Sequence, residues 1–507
     1  MSHFELFGTK TASDQGIPFH SDLLGDLNMS LLTHSPHLSV SSLRWLSPLI
    51  ALTLSVGCGE DSGQSDITPT AGAEAGEAAG EAAGEAAGEA AGESAGESAG
   101  EEVAEFKLVI SELEHEHTPS VSDEDYAEHI KANQAFTFEL HAEGTPNAEN
   151  VMTSAWSVRQ AFTMLYPGAL GETQEAIGET LGFHPDLETA LSATNRLNDE
   201  LHARQLPADD EAELDPVIIK SANAVWTQEG LMAVPMFLDL ARVHLDAGLH
   251  MLDFQGAPEF SRLAINQWVE EQTEGRIENL LPEGAVHQGT RTVLTNAVYF
   301  KAPWDIPFVE SQTSEALFTT GSGDEIRTPT LNNTIYAPAA IVDGVQVLTL
   351  PFRDHKLAMT FLMPLESPIS ELESALTPEL WSSYLESRVN EERMVSIPKF
   401  KFRTDAPLNR FFRERATEIL FTNPNLTQMI EGLNLAVSGV FHKSFIEISE
   451  GGAEAAAATV ILAGITSESQ YGPSVHLDRA FLFAIHDQET GAILFFGRLS
   501  NPAEGAR

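Results

Sequence analysis

Residues 449–467 read SEGGAEAAAATVILAGITS, and the interpretation of the whole chain turns on this stretch. It contains a glycine pair, four consecutive alanines and a β-branched, apolar end. Alanine favours a helix, and the glycine pair is typical of a loop that leads into one. A strand is the alternative, because every second residue from Ala453 to Ala463 is small or apolar and would share one face, while Glu454 faces solvent. Composition alone leaves both conformations open.

The overall charge excludes several classes of partner. The chain has 507 residues, with 75 Asp and Glu against 28 Lys and Arg, a formal net charge of −47. Such a surface repels nucleic acid and anionic membranes, so neither is expected as a partner. The single cysteine, Cys58, excludes an intramolecular disulfide and any metal site built from several cysteines.

The N-terminal region has the features of a bacterial lipoprotein signal. An apolar run at 45–56 follows Arg44; it is long enough for a signal-peptide core and too short to span a bilayer. Residues 55–58, SVGC, resemble a lipobox, although Ser55 replaces the usual leucine. We expect residues 1–58 to be an N-terminal extension and lipoprotein-type signal peptide, lipidated on Cys58. Translation from Met1 and from Met29 are both compatible with this pattern.

Residues 59–126 are expected to form a disordered acidic tether. Between 74 and 101 the sequence repeats GEAA and then GESA. A glycine in every turn and like charges four residues apart oppose a helix. About 40 such residues reach roughly 35 Å by the flexible-coil estimate. The tether would hold a folded domain off the cell envelope, so we expect an extracellular or cell-surface protein that meets the membrane only through its lipid anchor.

Two histidines near the end of this range, His115 and His117, could bind a metal ion. Their spacing supplies no further ligand, and a structural or catalytic metal needs at least three. The sequence therefore predicts a solvated loop here and no metal site.

Residues 127–507 have the pattern of one folded α+β domain. The first part of the domain contains apolar residues at helical spacing, and Ser154 stands where a helix N-cap is expected. The predicted helices lie at 130–140, from 154 to 165, from 173 to 183 and at 265–281. In the last of these ranges a glycine turn separates the helix from a second short helical segment. Strand patterns follow at 292–300, 345–351, 357–363, 394–402, 475–477, 481–486 and 492–497. Helices followed by strands indicate antiparallel sheets.

Three motifs in this domain resemble those of the serpin family. NAVYFK at 296–301, with Trp304 after it, resembles a family strand motif. FHK at 441–443 and EGGAEAAAAT at 450–459 resemble the family's reactive-loop hinge. The end of the chain, 481–502, contains FLF, TG, LF, GR and NP in the order of the family's C-terminal signature. The order and spacing of the three motifs make the resemblance specific.

The resemblance covers residues 128–503 and implies the serpin fold: three β-sheets, eight to nine helices and an exposed reactive-centre loop. It also implies a suicide-substrate inhibitor of a serine or cysteine endopeptidase. The protease forms an acyl-enzyme with the loop, and the hinge then inserts as a new strand of the main sheet before water releases the protease. Such a protein is not an enzyme, needs no cofactor and acts as a monomer.

The resemblance assigns roles to two sets of residues. The hinge consists of Glu450, Gly451, Gly452, Ala453, Glu454, Ala455, Ala456, Ala457, Ala458 and Thr459. The residues that control sheet opening are Ser154, Ser157, Asn296, Trp304 and His442. Without the family, Ser154 is an ordinary N-cap, His442 an ordinary strand histidine and Trp304 a core residue.

The position of the cut follows from the family's usual spacing. Placing Glu450 seventeen residues before it puts the reactive bond at Thr466–Ser467, with Ile465 or Ser469 as alternatives.

The residues around the cut indicate the class of protease. No Lys or Arg occurs between Lys443 and Arg479, which argues against trypsin-like proteases. The Ile, Thr and Leu residues present suit an elastase-, chymotrypsin- or subtilisin-like pocket, and a cysteine protease remains open.

Two other functions compete with inhibition. A non-inhibitory serpin-fold binding protein is the alternative. The hinge favours inhibition over it, because its residues are small and only Glu454 is charged. A hydrolase is disfavoured, because the G-x-S-x-G patterns at 92–96 and 96–100 are products of the acidic repeat, with no strand and helix to form a nucleophile elbow.

Overall fold

The structure is a computed structural model that describes residues 106–144, 149–209, 214–406, 408–433, 435–454 and 471–504. All of these residues belong to one contact unit, Gly96–Arg507. Among them, no helix has both the length and the apolar character needed to cross a membrane. The signal peptide, Cys58 and the acidic repeat lie outside the described residues, so these features stay predictions.

Ten α-helices lie in the described ranges, and the last two are very short. They are α1 (Asp123–Gly144), α2 (Ala155–Thr163), α3 (Glu172–Leu181), α4 (Leu187–His202), α5 (Pro235–Leu245), α6 (Pro258–Gln272), α7 (Ile369–Ala375), α8 (Pro378–Glu386), α9 (Asn409–Arg413) and α10 (Ile419–Thr422). Ser154 is the N-cap of α2, as predicted, because its side chain accepts a hydrogen bond from the amide of Ser157.

One sheet, called the main sheet below, contains eight of the described strands. These are β1 (Lys107–Val109), β3 (Ile218–Ser221), β4 (Ala224–Gln228), β5 (Leu249–Leu252), β6 (Thr292–Pro303), β12 (Phe400–Ala406), β13 (Val437–Ile448) and β14 (Gly452–Ala453). Their order is β1-β5-β4-β6-β14-β13-β12, and β3 also pairs with β6. The short strand β14 lies in the middle of this sheet.

The second sheet contains nine described strands, in the order β15-β11-β8-β9-β10-β16-β17-β2, with β7 paired to β8. They are β2 (Val151–Thr153), β7 (Ser314–Thr319), β8 (Glu325–Val342), β9 (Val345–Pro351), β10 (Leu357–Pro364), β11 (Val389–Pro398), β15 (Val475–His476), β16 (Phe481–Asp487) and β17 (Ile493–Leu499). The resemblance implies three sheets, and the 18-residue strand β8 explains the difference. Its first part pairs with β7 and β11 and its end pairs with β9, so two of the three sheets share it.

The largest cluster of buried side chains is formed by both sheets. It includes Phe300 and Ala302 of β6, together with Phe361 and Phe483 of the second sheet. The core therefore reaches the part of the main sheet in which β14 lies, and Ala453 of β14 is itself a member of this cluster.

The segment 106–126, which the sequence assigns to the tether, is part of the fold. Strand β1 adds to the edge of the main sheet by pairing antiparallel with β5. The carbonyl of Glu116 accepts a 2.7 Å hydrogen bond from the buried side-chain amide of Asn195, and α1 begins at Asp123. The residues around His115 form a loop, as predicted, but the loop is docked on α4 and α5 instead of being fully solvated.

The predicted helix at 265–281 also differs from the structure. Helix α6 begins earlier, at Pro258, and ends at Gln272, and the second helical segment does not form. Instead the side chains of Arg262 and Asn266 donate hydrogen bonds to the carbonyl of Leu281. These tertiary bonds hold the residues after α6 in an irregular conformation against the main sheet.

Candidate functional site

Strands β6 and β13 pair with each other over only part of their length. They run parallel from the pair Val437–Thr292 to the pair Ser444–Val298. Beyond that point β14 lies between them, and Ala453 pairs antiparallel with both Ile448 and Ala302. A segment that follows β13 in sequence has therefore already begun a new central strand.

The turn from β13 into β14 is held by Trp304. The Trp304 amide donates a 2.9 Å hydrogen bond to the carbonyl of Gly451, and its indole Nε1 donates one of 3.1 Å to the carbonyl of Ser449. The indole is buried and stacks on Phe352 with ring centroids 4.7 Å apart. Trp304, which the resemblance places among the residues that control sheet opening, contacts the hinge directly.

Gly452 fits the gap between β6 and β13 because it has no side chain. Its φ is +152°, and a Cβ atom would lie 2.2 Å from the carbonyl oxygen of Ala302. That separation is far below van der Waals contact, so any other residue would displace one of the two strands.

Glu450 anchors the start of the hinge through its carboxylate. It accepts hydrogen bonds of 2.9 Å from Thr313 Oγ1 and 2.8 Å from Lys399 Nζ. Burial alone would raise the pKa of Glu450, but these two donors hold it below its ordinary value. Backbone hydrogen bonds therefore hold the hinge near the end of β6. The ionised side chain of Glu450 holds it to Thr313, which precedes β7, and to Lys399, which lies between β11 and β12.

Glu454 differs from its prediction. Its side chain was expected to face solvent, yet it is only 5% exposed and forms an ion pair with Arg276. The reason is that the irregular residues after α6 cover this face of the main sheet. Burial raises the pKa of Glu454, while Arg276 opposes the shift.

Five polar residues form one hydrogen-bonded cluster below the end of β14, which we call the shutter cluster. Its members are Ser154, Ser157, Asn223, Asn296 and His442. Asn296 of β6 and His442 of β13 lie opposite each other in the parallel register and share a hydrogen bond. Asn296 Nδ2 donates to Ser157 Oγ and Asn223 Oδ1, both at 2.7 Å. The cluster thus joins β6, β13 and α2.

The partners of His442 define its tautomer. The Ser154 amide can only donate, so His442 Nε2, 3.2 Å away, is the acceptor. Nδ1 then carries the proton and donates to Asn296 Oδ1. Burial lowers the pKa of His442 to about 4, which keeps the ring neutral at physiological pH. Strand insertion below β14 has to break this bond.

Known proteins share the sequence pattern of this domain. The model of the family described as Serpin (serine protease inhibitor) matches residues 131–502. The chain belongs to the serpin family. It is 34% identical over 378 residues to an uncharacterized serpin-like protein of Thermococcus kodakarensis, covering 74% of this chain and 86% of that one. It is 31% identical over 398 residues to antithrombin-III of Ovis aries, covering 76% and 84%.

A solved structure supports the fold of this serpin. The complex of thyroxine-binding globulin with thyroxine superposes with a TM-score of 0.65 at 23% identity, over 74% of this chain and 99% of that one. At this identity the likeness shows the fold alone.

Of the five residues predicted to control sheet opening, the structure of this serpin brings four together in the shutter cluster and places Trp304 apart from them, at the hinge. It adds Asn223 to the cluster. Asn223 lies between β3 and β4 and donates to the Ser157 carbonyl at 3.1 Å. A single polar residue in the turn between two strands belongs to no hydrophobic repeat or motif, so its place in the cluster cannot be predicted from the sequence. Ala455 to Thr459 and the reactive-bond residues Ile465, Thr466, Ser467 and Ser469 lie outside the described residues.

Gly452→Ala should expel β14 from the main sheet, because the added methyl group meets the backbone of β6. We expect amide hydrogen exchange in residues 447–454 to become at least tenfold faster. Gly230→Ala is the matched control, since Gly230 also has positive φ but nothing lies within 4 Å of the position that an added Cβ would take. Unchanged exchange in Gly452→Ala would show that β14 does not occupy the gap.

His442→Gln should reduce the acid sensitivity of the native state. The folded pKa of about 4 lies below the ordinary 6.5, so the unfolded chain binds more protons between these values. Above pH ~6.5 His442 is neutral in both states and does not change the free energy of unfolding. As the pH falls from there toward 4, only the unfolded chain takes up the proton, and the free energy of unfolding decreases by up to about 3 kcal/mol. Urea unfolding between pH 4 and 7 measures it, with exposed His287→Gln as control. Equal slopes in all three proteins would contradict this account.

Proposed function

We propose that this serpin is an inhibitor that traps an endopeptidase as a covalent acyl complex. Serine proteases are the expected targets, and cysteine proteases are the second class. The observation that carries the proposal is β14, which lies between β6 and β13 and pairs with both. The hinge thus occupies the first position of the strand that an inhibitory serpin must insert.

The trapping chemistry involves the loop and the protease alone. The protease hydroxyl or thiol attacks the carbonyl carbon of Thr466, and the bond to Ser467 breaks. The new amine of Ser467 takes the proton and leaves, while Thr466 stays bound to the protease through an ester or, with a cysteine protease, a thioester. Water would release an active protease and a spent inhibitor. Inhibition therefore requires that insertion distort the protease before deacylation.

The dimensions of the gap suit the proposed strand. Strands β6 and β13 each contain 12 residues. Residues 453–466 would extend about 45 Å as a strand at ~3.3 Å per residue, so they can follow the full length of both neighbours. A protease attached at Thr466 would then be carried from one end of the main sheet to the other.

The side chains of the hinge suit rapid burial. Ala453 is 2% exposed and packs in the cluster that the two sheets share. In a strand, Ala455 and Ala457 would follow it on the same face, and methyl groups there need little rearrangement of the core. Fast insertion supports inhibition because insertion competes with hydrolysis of the acyl bond.

The alternative, a non-inhibitory binding protein, uses the same fold. Thyroxine-binding globulin, with its bound thyroxine, exemplifies such a scaffold. Small hinge residues and a hinge already paired in the main sheet favour inhibition for this chain.

Incubation with elastase, chymotrypsin and subtilisin tests inhibition. We expect an SDS-resistant complex with at least one of them, and cleaved protein with a higher melting temperature. Ala453→Arg is the diagnostic variant, because Ala453 is buried between the two sheets, and an unpaired charge there opposes both the docking of β14 and the insertion of the strand that continues it. It should be cut at the same bond, with at least tenfold less complex.

Cleavage of the wild-type chain without a complex, and without a gain in thermal stability, would contradict inhibition and support the binding protein. Mass spectrometry of the released peptide assigns the cut to Thr466–Ser467 or to the bonds after Ile465 or Ser469.

We also propose that Cys58 anchors this serpin to the cell envelope by a lipid. The lipobox-like residues 55–58 and the acidic tether after them support this location. Cys58→Ser should move the protein from the membrane fraction to the soluble fraction, because a single lipid-modified residue provides the anchor. Equal membrane association of both proteins would count against lipidation.

A further inference from the structure

The histidines of the segment 106–122 do not lie alone, because α4 brings an aspartate to them. His115 Nε2 lies 3.2 Å from Asp199 Oδ1, and His117 Nδ1 lies 3.6 Å from Asp199 Oδ2. One ligand atom from each of the three residues lies within 4.8 Å of the others. The third ligand that the spacing of the histidines lacks in sequence is thus supplied across 84 positions of the chain.

We propose that His115, His117 and Asp199 bind a divalent transition-metal ion, with Zn²⁺ as the expected occupant. Two imidazoles and one carboxylate are a donor set that zinc prefers, with a fourth position left for water or another side chain. At metal–ligand distances of about 2.0–2.1 Å, tetrahedral ligand atoms lie about 3.3 Å apart. The two imidazole–carboxylate separations, 3.2 Å to Asp199 Oδ1 and 3.6 Å to its Oδ2, lie near this value, and the 4.8 Å limit for the whole set requires only a small side-chain movement.

The backbone between the two histidines is held in place before any ion binds. The Glu116 amide donates to the Val243 carbonyl at 2.9 Å, and the Glu116 carbonyl accepts from Asn195 Nδ2 at 2.7 Å. The rings of His115 and His117 lie edge to face with centroids 4.8 Å apart, and both reach Asp199. Such preorganisation reduces the cost of assembling a metal site.

The surroundings of the cluster provide room for an ion and place another histidine at the same cavity. The three residues border a cavity of about 420 Å³ that His202 also lines. His202 follows Asp199 by three positions on α4, so both side chains occupy one face of that helix. Asp199 is 26% exposed and His117 is 79% exposed, so an ion can reach the cluster from solvent.

Metal binding would tie the edge of the main sheet to α4. His115 and His117 follow β1 closely in sequence, and β1 is the strand that pairs with β5. An ion shared with Asp199 would hold this segment in its folded position and slow its detachment. This inference concerns the described N-terminal segment and does not depend on protease inhibition.

Isothermal titration of the full chain, prepared without a histidine tag and stripped with a chelator, tests the site. We expect Zn²⁺ to bind and Mg²⁺ not to bind. His117→Ala should weaken Zn²⁺ binding at least tenfold, and this exposed side chain can be removed without disturbing the core. Asp199→Asn is the second variant with the same expectation, and exposed His287→Ala is the control that should bind as wild type.

Hydrogen exchange provides an independent measurement. Zn²⁺ should slow exchange in residues 106–118 of the wild-type chain and leave it unchanged in His117→Ala. No Zn²⁺ binding by the wild-type chain, or equal affinity in wild type, His117→Ala and Asp199→Asn, would overturn the proposal.

Discussion

Strands β6 and β13 are the central pair of the main sheet, and the other features of the site depend on how they hold each other. At one end they pair in parallel, and the buried hydrogen bond between His442 and Asn296 joins them there. At the other end they are separated by β14, which Trp304 and Glu450 hold in place. Parallel pairs are slightly less stable per residue than antiparallel ones. A strand that forms two antiparallel ladders in place of one parallel ladder therefore gains backbone hydrogen bonds, which supplies a direction for insertion.

The shutter cluster concentrates resistance to that insertion in one place. Through Asn223 and Ser157 it connects the turn between β3 and β4 and helix α2 to the same two strands. Because these polar groups are buried, breaking one bond without replacing it is costly. The cluster can thus keep β6 and β13 paired where they run parallel, while the hinge stays docked between their other ends, where β14 lies. Strand β1 lies at one edge of the same sheet, beyond β5 and β4, and the contact between His115 and Asp199 of α4 follows it in sequence.

Much of the fold and the site could be predicted from local pattern and ordered motifs. Ser154, Ser157, Asn296 and His442 were selected by motif, and they form one cluster. What the sequence could not supply were contacts made across long separations. Asp199 meets His115 only because α4 packs on the N-terminal segment, and Glu454 is buried only because the residues after α6 cover it. The shared strand β8 likewise joins two sheets through its unusual length, which a count of strand patterns does not reveal.

A crystal structure of the loop-cleaved protein tests most directly whether the main sheet accepts a new strand. The account predicts that residues 453–466 form a continuous strand between β6 and β13, antiparallel to both. Asn296 and His442 would then no longer face each other as paired residues. A cleaved structure in which β6 and β13 keep the register from Val437–Thr292 to Ser444–Val298, with the cut loop left outside the sheet, would contradict it.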